Sequence, residues 1–412
     1  METKTNGRLL SIDAFRGFDM MWIMGMYGLV LGIVGLFGMN AENTAWIPAV
    51  FHHVPWNGFH FIDSVFPTFL FIAGLSFPFS LAKSREKGLS DASIWLRTFK
   101  RGMVLTLLGI MYNGCLTLKF DATYLDHFRF ASVLQRIGIG WMFAGFIFLG
   151  VKSWKVRFGL FLGILFGWWA LVQFVPAPGC PDGVNWMTTP HSAFGLAKPP
   201  PAAEITVYNL AAWLDHVLPG FLRTNWIIEP EGQLSHIGGV ATAMIGMFAG
   251  EFVMKSRQAG ADGVGQCVKM WLAAAALLAV GWAMIFAGTP CIKAIWSSSF
   301  VCCVGAYSLA MFTLFYFLID VKGWKGWTTF FRVIGMNSIT IYLGQSIFHT
   351  WDRVHGPIGY FIGYVGDKAN PAFGLCGALG PVWGSLLDGF VYFFGLWGVL
   401  YFLYKKNIFL KV

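Results

Sequence analysis

Residues 52–82 read HHVPWNGFHFIDSVFPTFLFIAGLSFPFSLA and pass from a polar, histidine-rich segment directly into an apolar one. The apolar part, near 60–82, contains one carboxylate, Asp63, close to its start. A run of about 20 apolar residues is long enough to cross a bilayer as a helix. The stretch therefore predicts a membrane helix with an acidic group at its mouth and imidazoles immediately before it.

An ionisable group at the end of a spanning helix is expensive to bury, so it is by default a candidate functional site. Histidine changes its charge near neutral pH, which suits it to proton transfer. The alternative is a hydrated interfacial loop, because His and Trp side chains also lie comfortably at the level of the lipid headgroups. The pattern alone leaves both interpretations open.

The composition extends this prediction to the whole chain. Of 412 residues, 56% are hydrophobic and only 12% are charged. So little polar surface cannot cover a water-soluble globule of this size, and the sequence predicts an all-α, polytopic integral membrane protein surrounded by lipid. The net charge of +9 would also suit a nucleic-acid-binding protein. Its basic residues, however, are scattered in short clusters between apolar runs, so no nucleic-acid partner is predicted.

Apolar runs of spanning length recur along the chain, and they predict ten transmembrane helices. The predicted spans are 16–39, 60–82, 98–114, 130–151, 156–176, 235–254, 267–287, 295–318, 328–349 and 385–404.

The basic residues predict the orientation of these helices. With alternating topology, 21 of the 29 Lys and Arg residues fall on the side of the N-terminus. The positive-inside rule then makes both termini cytoplasmic. Three longer loops, 40–59, 177–232 and 350–384, are predicted outside, in a single transmembrane domain over 1–412. Nothing in the spacing of His and Cys is typical of zinc, so no metal is predicted.

Arg136 is the one basic residue predicted well inside a span. A buried arginine needs a carboxylate or a water-filled cavity, and Asp63 is its predicted partner.

Further polar residues lie near helix ends, and each has a structural alternative. Arg16 is three residues after Asp13 and would form a helix-start salt bridge. An acidic cluster with Glu231, followed by His236, would compensate a helix dipole. The hydroxyls of Ser297–Ser299 would cap a helix, and Asn337 would serve helix packing.

Six blocks of sequence together resemble the heparan-alpha-glucosaminide N-acetyltransferase family of transmembrane acyltransferases. The first is RLLSIDAFRG at 8–17, and the second is His53-x-x-Trp56-Asn57-Gly58 with Asp63 and VFP at 65–67. The later blocks are VLQRI at 133–137, PEG at 230–232 with 234–235, IWSSS at 295–299, and GMN at 335–337 with 341–342. The blocks extend over nearly the whole chain.

The resemblance implies an enzyme that moves the acetyl group of cytoplasmic acetyl-CoA to the amine of a glucosamine-type sugar on the other side of the membrane. It implies that His53 is the catalytic residue. The soluble N-terminal portion and extra first helix of the lysosomal members are missing, so a bacterial relative in the cytoplasmic (inner) membrane is expected. One departure is Met26-Tyr27-Gly28, where the family places an asparagine.

Acyl transfer to an amine needs a base, donors for the oxyanion, and close positioning of the thioester. His53 is the candidate base, with Asp63 or Glu231 fixing its tautomer. Alternatively, His53 itself carries the acetyl group. Asn57, Ser297–Ser299 and Arg136 are candidate oxyanion donors. We assign the following residues to catalysis (His53, Asp63, Asn57), to acetyl-CoA (Arg16, Arg136, Ser297, Ser298, Asn337) and to the amino sugar (Trp56, Glu231, His236).

A transporter of a sugar or an acyl carrier is the alternative function. In that case His53, Asp63, Arg136 and Glu231 would form a proton relay with no acyl-transfer chemistry. Many transporters repeat a broken-helix pattern in their two halves. The two halves of this sequence show no such repeat, which argues against a transporter. Whether the chain forms a homodimer stays open.

Overall fold

The structure is a computed structural model that describes residues 9–37, 50–114, 131–180, 182, 187, 209–218, 231–347 and 378–410. In these ranges the protein is all-helical, and its β-type pairing is limited to isolated bridges. The all-α part of the predicted fold class is therefore confirmed for these residues, and the cytoplasmic position of the termini stays a prediction. Most of the predicted outer loops 177–232 and 350–384, and the first half of 40–59, lie outside the described residues.

The described residues contain thirteen α-helices and two π-helical turns. They are α1 (Leu10–Met21), a π-turn (Trp22–Met26), α2 (Tyr27–Leu36), α3 (Phe61–Glu86), α4 (Asp91–Gly114), α5 (Val133–Gly150), α6 (Trp154–Phe174), α7 (Leu210–Val217), α8 (His236–Gln258), α9 (Gly263–Phe286), α10 (Ser298–Tyr316), a second π-turn (Phe317–Val321), α11 (Thr328–Met336), α12 (Ser338–Ile347) and α13 (Gly380–Lys405).

Eight helices of the described part are long and apolar enough to cross a membrane, which agrees with an integral membrane protein. They are Leu10–Leu36, Phe61–Glu86, Val133–Gly150, Trp154–Phe174, His236–Gln258, Gly263–Phe286, Ser298–Val321 and Val382–Lys405. The predicted number of ten is not confirmed by the described residues. Helix α4 is long, but Arg97, Lys100 and Arg101 lie in its second and third turns.

The predicted single helix over 328–349 is wrong. The chain forms α11 and α12 instead, with Asn337 between them in a non-helical conformation (φ −113°, ψ 22°). The Asn337 side chain donates to the Val333 carbonyl oxygen at 3.1 Å. An amide that bonds to the preceding turn offers the backbone an alternative to the helical hydrogen bond, which favours a break at this residue.

The chain divides into two compact units, and α3 contributes residues to both. The first unit contains Met1–His53, His60–Val65 and Leu318–Lys411. The second contains Val54–Phe59, Phe66–Phe317 and Val412.

In the first unit, α1 packs on α11 and α2 packs on α13. Glycine allows the first of these contacts to be close, because a Cβ on Gly17 would overlap the backbone carbonyl of Phe331. A Cβ on Gly335 would likewise overlap the carbonyl of Asp13. Small residues of this kind let membrane helices approach closely and replace the hydrophobic effect as the source of packing energy.

Gly17→Ala is expected to destabilise the first unit by about 1–3 kcal/mol, the usual cost of overpacking a tight contact. Gly28→Ala in α2 is the matched control, because a Cβ there meets no heavy atom within 4 Å. Thermal unfolding of the two purified variants in one detergent measures the difference. Equal stabilities would show that α1 and α11 separate at no cost.

In the second unit, α8 is the central helix and packs against α5, α6 and α10, while α9 packs on α10. Glycines again bring backbones together. A Cβ on Gly246 would overlap the Phe71 carbonyl, and a Cβ on Gly250 would overlap the Leu75 carbonyl. Near the other end of α8, Arg157 and Lys255 both bind the carboxylate of Glu251, at 2.9 and 2.7 Å. This unit therefore combines close helix contacts with a partly buried ionic cluster.

Candidate active site

His53 and Asp63 form the closest pair of ionisable side chains among the predicted site residues. The distance from His53 Nδ1 to Asp63 Oδ1 is 2.7 Å. Asp63 lies in the first turn of α3, where the helix dipole stabilises a carboxylate. Its side chain is 1% exposed, whereas the His53 side chain is 59% exposed. A buried carboxylate thus holds an accessible imidazole.

The second oxygen of Asp63 also has a defined partner. The backbone N–H of His60 donates to Asp63 Oδ2 at 3.2 Å, and the backbone N–H of Asp63 donates back to the His60 carbonyl at 3.0 Å. Because Oδ2 is occupied in this way, Oδ1 is fixed towards His53. A proton on Nδ1 that is donated to the carboxylate leaves Nε2 as the basic nitrogen of His53.

The other two imidazoles of the motif make different contacts. Nδ1 of His60 lies 2.8 Å from the carbonyl oxygen of His52. Nε2 of His52 lies 3.1 Å from the hydroxyl of Tyr27. Tyr27 belongs to the segment where the chain departs from the family pattern. Within the described residues, His53 is the one of these three histidines whose ring has a hydrogen bond to a carboxylate.

Asn57 and Trp56, which follow His53 in the motif, belong to the second unit and have structural partners there. Asn57 Oδ1 accepts from the backbone N–H of Cys291 at 3.0 Å. Trp56 is 4% exposed in a hydrophobic cluster, and its indole donates to the Met187 carbonyl at 2.8 Å. The burial of Trp56 favours a role in packing, and its predicted contact with the sugar stays a prediction.

Arg136 lies in the first turn of α5, because this helix begins only at Val133. It is 1% exposed and donates to the hydroxyl of Ser235. Its guanidinium lies over the ring of Trp296, 4.6 Å from the centroid. The predicted pairing with Asp63 joins residues of different units and stays a prediction.

Sequence analysis assigned no role to Trp296, the residue on which Arg136 lies. It is fully buried and has a left-handed backbone (φ 53°), which is costly for a bulky side chain. Its indole donates to Thr242 Oγ1 at 3.0 Å, and its carbonyl accepts from the Trp168 indole at 3.0 Å. The only signal in the sequence was its place between Ile295 and the three serines. Its backbone strain is maintained by contacts with three other helices.

Ser297–Ser299 begin α10 and are engaged by the protein itself. Ser297 Oγ accepts from the Phe300 N–H at 3.3 Å as the N-cap. Ser298 donates to the Leu165 carbonyl at 2.7 Å, and Ser299 donates to the Pro290 carbonyl at 2.8 Å. The Ser297 contact agrees with the capping interpretation, whereas Ser298 and Ser299 bond to carbonyls of α6 and of the segment before α10. A role of Ser297 and Ser298 in binding acetyl-CoA stays a prediction.

The remaining predicted site residues lie in two places. In the first unit, Arg16 contacts Asp13 at 3.4 Å, as a helix-start salt bridge would, and Asn337 separates α11 from α12. In the second unit, His236 begins α8 and is 8% exposed. Its Nδ1 lies 2.7 Å from the Gln233 carbonyl oxygen. Glu231 is half-buried a few residues earlier. Within the described ranges, no group of three His, Cys, Asp or Glu side chains is arranged to hold a metal.

Arg136→Lys is expected to destabilise the protein by about 1–2 kcal/mol. A planar guanidinium can stack on an indole and donate a hydrogen bond at the same time. An ammonium group is a point charge, so lysine cannot reproduce both contacts. Arg101→Lys is the matched control, because Arg101 lies over Trp141 at 4.7 Å but is only half-buried. Thermal unfolding of both variants checks the order. An equal loss in the two would show that the environment of Arg136 is not special.

The fold and these contacts define an integral membrane protein of helices with a histidine–carboxylate pair at the start of a spanning helix. Two relatives match this chain. Heparan-alpha-glucosaminide N-acetyltransferase from Homo sapiens is 27% identical over 386 residues, which are 84% of this chain and 53% of that protein. The Mus musculus protein of the same name is 26% identical over 383 residues, 84% of this chain and 54% of its own.

These matches confirm the resemblance to heparan-alpha-glucosaminide N-acetyltransferases found in the motifs. The chain spans about half the length of the curated relatives it matches. No family model matches the chain.

Proposed function

We propose that the protein is a transmembrane acyltransferase that moves the acetyl group of cytoplasmic acetyl-CoA to the amine of a glucosamine-type sugar on the outer side of the membrane. The observation that carries this proposal is the 2.7 Å contact between His53 Nδ1 and the buried carboxylate of Asp63. The names of the two relatives supply the reaction type.

In the proposed step, the amine nitrogen attacks the thioester carbonyl carbon and forms the new C–N bond. His53 Nε2 takes the proton that the amine loses, and Asp63 stabilises the imidazolium. The C–S bond then breaks, and the departing CoA sulfur receives that proton. In the alternative order, His53 Nε2 first takes the acetyl group and then passes it to the amine.

The sidedness of the reaction rests on charge. With the ten alternating spans predicted from the sequence, 21 of the 29 basic residues fall on the side of the N-terminus, so this side is assigned to the cytoplasm and to acetyl-CoA. The segment before α3 then lies on the opposite side, with the amino sugar. We place the protein in a bacterial inner membrane with both termini inside.

The test uses purified protein in vesicles with labelled acetyl-CoA and glucosamine. Acetylated glucosamine formed only in the presence of the protein supports the proposal. Uptake of unmodified glucosamine without acetylated product would contradict it and favour a transporter. Samples denatured rapidly near neutral pH, without amino sugar, that retain the label on the protein would select the acetyl-histidine route over direct transfer.

A further inference from the structure

A long apolar groove lies in the second unit between α9 and α10, with a volume of about 820 Å³. One wall is a single face of α9 that extends from Trp271 to Phe286, and this distance along a helix is about 22 Å. The opposite wall is formed by α10 from Cys303 to Ala310. The groove is therefore long, and it runs along two helices that are candidate membrane spans.

Small residues on facing positions create the space. Ala274 and Ala275 of α9 face the side of α10 that carries Ala306 and Ala310, while Trp282 forms part of the rim. Among the described residues that line the groove, no side chain carries a charge. A groove of this shape and chemistry, within helices that cross a bilayer, fits a hydrocarbon chain and not a polar ligand.

The two ends of the groove differ. At one end, the Trp271 indole donates to the Ala310 carbonyl at 3.3 Å and joins the two walls. At the other end lie Asn57, Gly58 and Cys291. Asn57 Oδ1 is bound to the Cys291 N–H, and its exposed amide NH₂ has no partner among the described residues. The groove thus has one polar end that can bind a hydroxyl or carbonyl oxygen.

The polar end also belongs to the histidine motif. Asn57 follows His53 by four residues, so chain connectivity alone keeps their Cα atoms within about 14 Å. We propose that this groove binds the hydrocarbon chain of a membrane-anchored amino-sugar acceptor, with the sugar at the Asn57 end. This inference rests on the proposed function and assigns the acceptor to a class, the lipid-linked amino sugars.

The test uses alkyl 2-amino-2-deoxyglucosides with chains of 8, 12 and 16 carbons, assayed at constant detergent composition. The KM of the wild-type protein is expected to fall at least about tenfold from the shortest to the longest chain. Ala275→Trp, which fills the groove from an exposed position, should remove this dependence. Ala276→Trp is the matched control, because Ala276 is exposed on the same helix outside the groove, and it should retain the dependence.

Three outcomes would overturn the inference. The first is a wild-type KM that does not change with chain length. The second is the same dependence in both tryptophan variants, which would mean that the chain acts only by partitioning into detergent. The third is a second copy of this protein that covers the groove. It would be detected if Ala275→Cys forms a disulfide-linked dimer and a photoactivatable alkyl glucosaminide labels neither α9 nor α10.

Failure of the proposed function has a different signature. In that case neither glucosamine nor any alkyl glucosaminide is acetylated by the wild-type protein. The photoactivatable probe still tests the groove, because labelling of α9 and α10 that is lost in Ala275→Trp and retained in Ala276→Trp requires binding but no turnover.

Discussion

His53→Ala is expected to lower the rate of acetyl transfer by about 10²- to 10⁴-fold if His53 is a general base, and by more if it carries the acetyl group. The imidazole is 59% exposed, so its removal leaves no cavity in the helical core. We therefore expect normal expression, an unchanged unfolding temperature and unchanged binding of acetyl-CoA. Turnover of labelled acetyl-CoA with a saturating amino sugar measures the loss.

The neighbouring histidines provide matched controls within the same segment. His52→Ala removes a contact with the Tyr27 hydroxyl, and His60→Ala removes one with a backbone carbonyl. Neither ring has a hydrogen bond to a carboxylate of the described residues, so both variants should keep most of the activity. Added imidazole should partly restore the His53→Ala variant, because the vacated position is open to solvent. Wild-type turnover in His53→Ala, or loss of activity only through unfolding, would remove His53 from the mechanism.

The sequence predicted the helices whose apolar runs are uninterrupted. The predicted span 60–82 corresponds to α3 (Phe61–Glu86), although Pro67 and Pro78 lie inside it. Proline is tolerated in membrane helices where neighbouring groups satisfy the freed carbonyls. The prediction was less accurate where polar residues interrupt the pattern. Hydropathy could not identify the first turns of α4, because they carry charge, or the break at Asn337, because it depends on one side-chain hydrogen bond.

The candidate site was predicted in part for a similar reason. Spacing and resemblance together selected His53 and Asp63, which lie ten residues apart and meet at 2.7 Å. Local spacing could not predict that the indole of Trp56 would bond to Met187, or that Trp296 would lie under Arg136. These contacts join residues more than 100 positions apart, and they depend on how whole helices pack. The sequence therefore identified groups with reactive chemistry better than it identified the groups that position them.

Asp63→Asn is expected to lower turnover by about 10³- to 10⁴-fold without unfolding the protein, because it changes the tautomer of His53. The N–H of His60 donates to the Oδ2 position, so the carboxamide oxygen of the new side chain is held there. Its NH₂ group then faces His53 Nδ1, which must become the acceptor. The ring proton of His53 then moves to Nε2. Because Nε2 now carries a proton, it can no longer accept one from the amine.

A double-mutant comparison separates this effect from simple damage to the fold. If Asp63 acts through His53, the variant with both His53→Ala and Asp63→Asn should be no slower than His53→Ala alone, since groups that act as a unit are not additive. Asp91→Asn is the control for loss of a carboxylate, because the Asp91 side chain is 76% exposed at the start of α4. The KM for acetyl-CoA should stay close to the wild-type value in Asp63→Asn while kcat falls. Multiplicative losses in the double variant, or an equal loss in Asp91→Asn, would show that Asp63 contributes charge or stability and does not orient the imidazole.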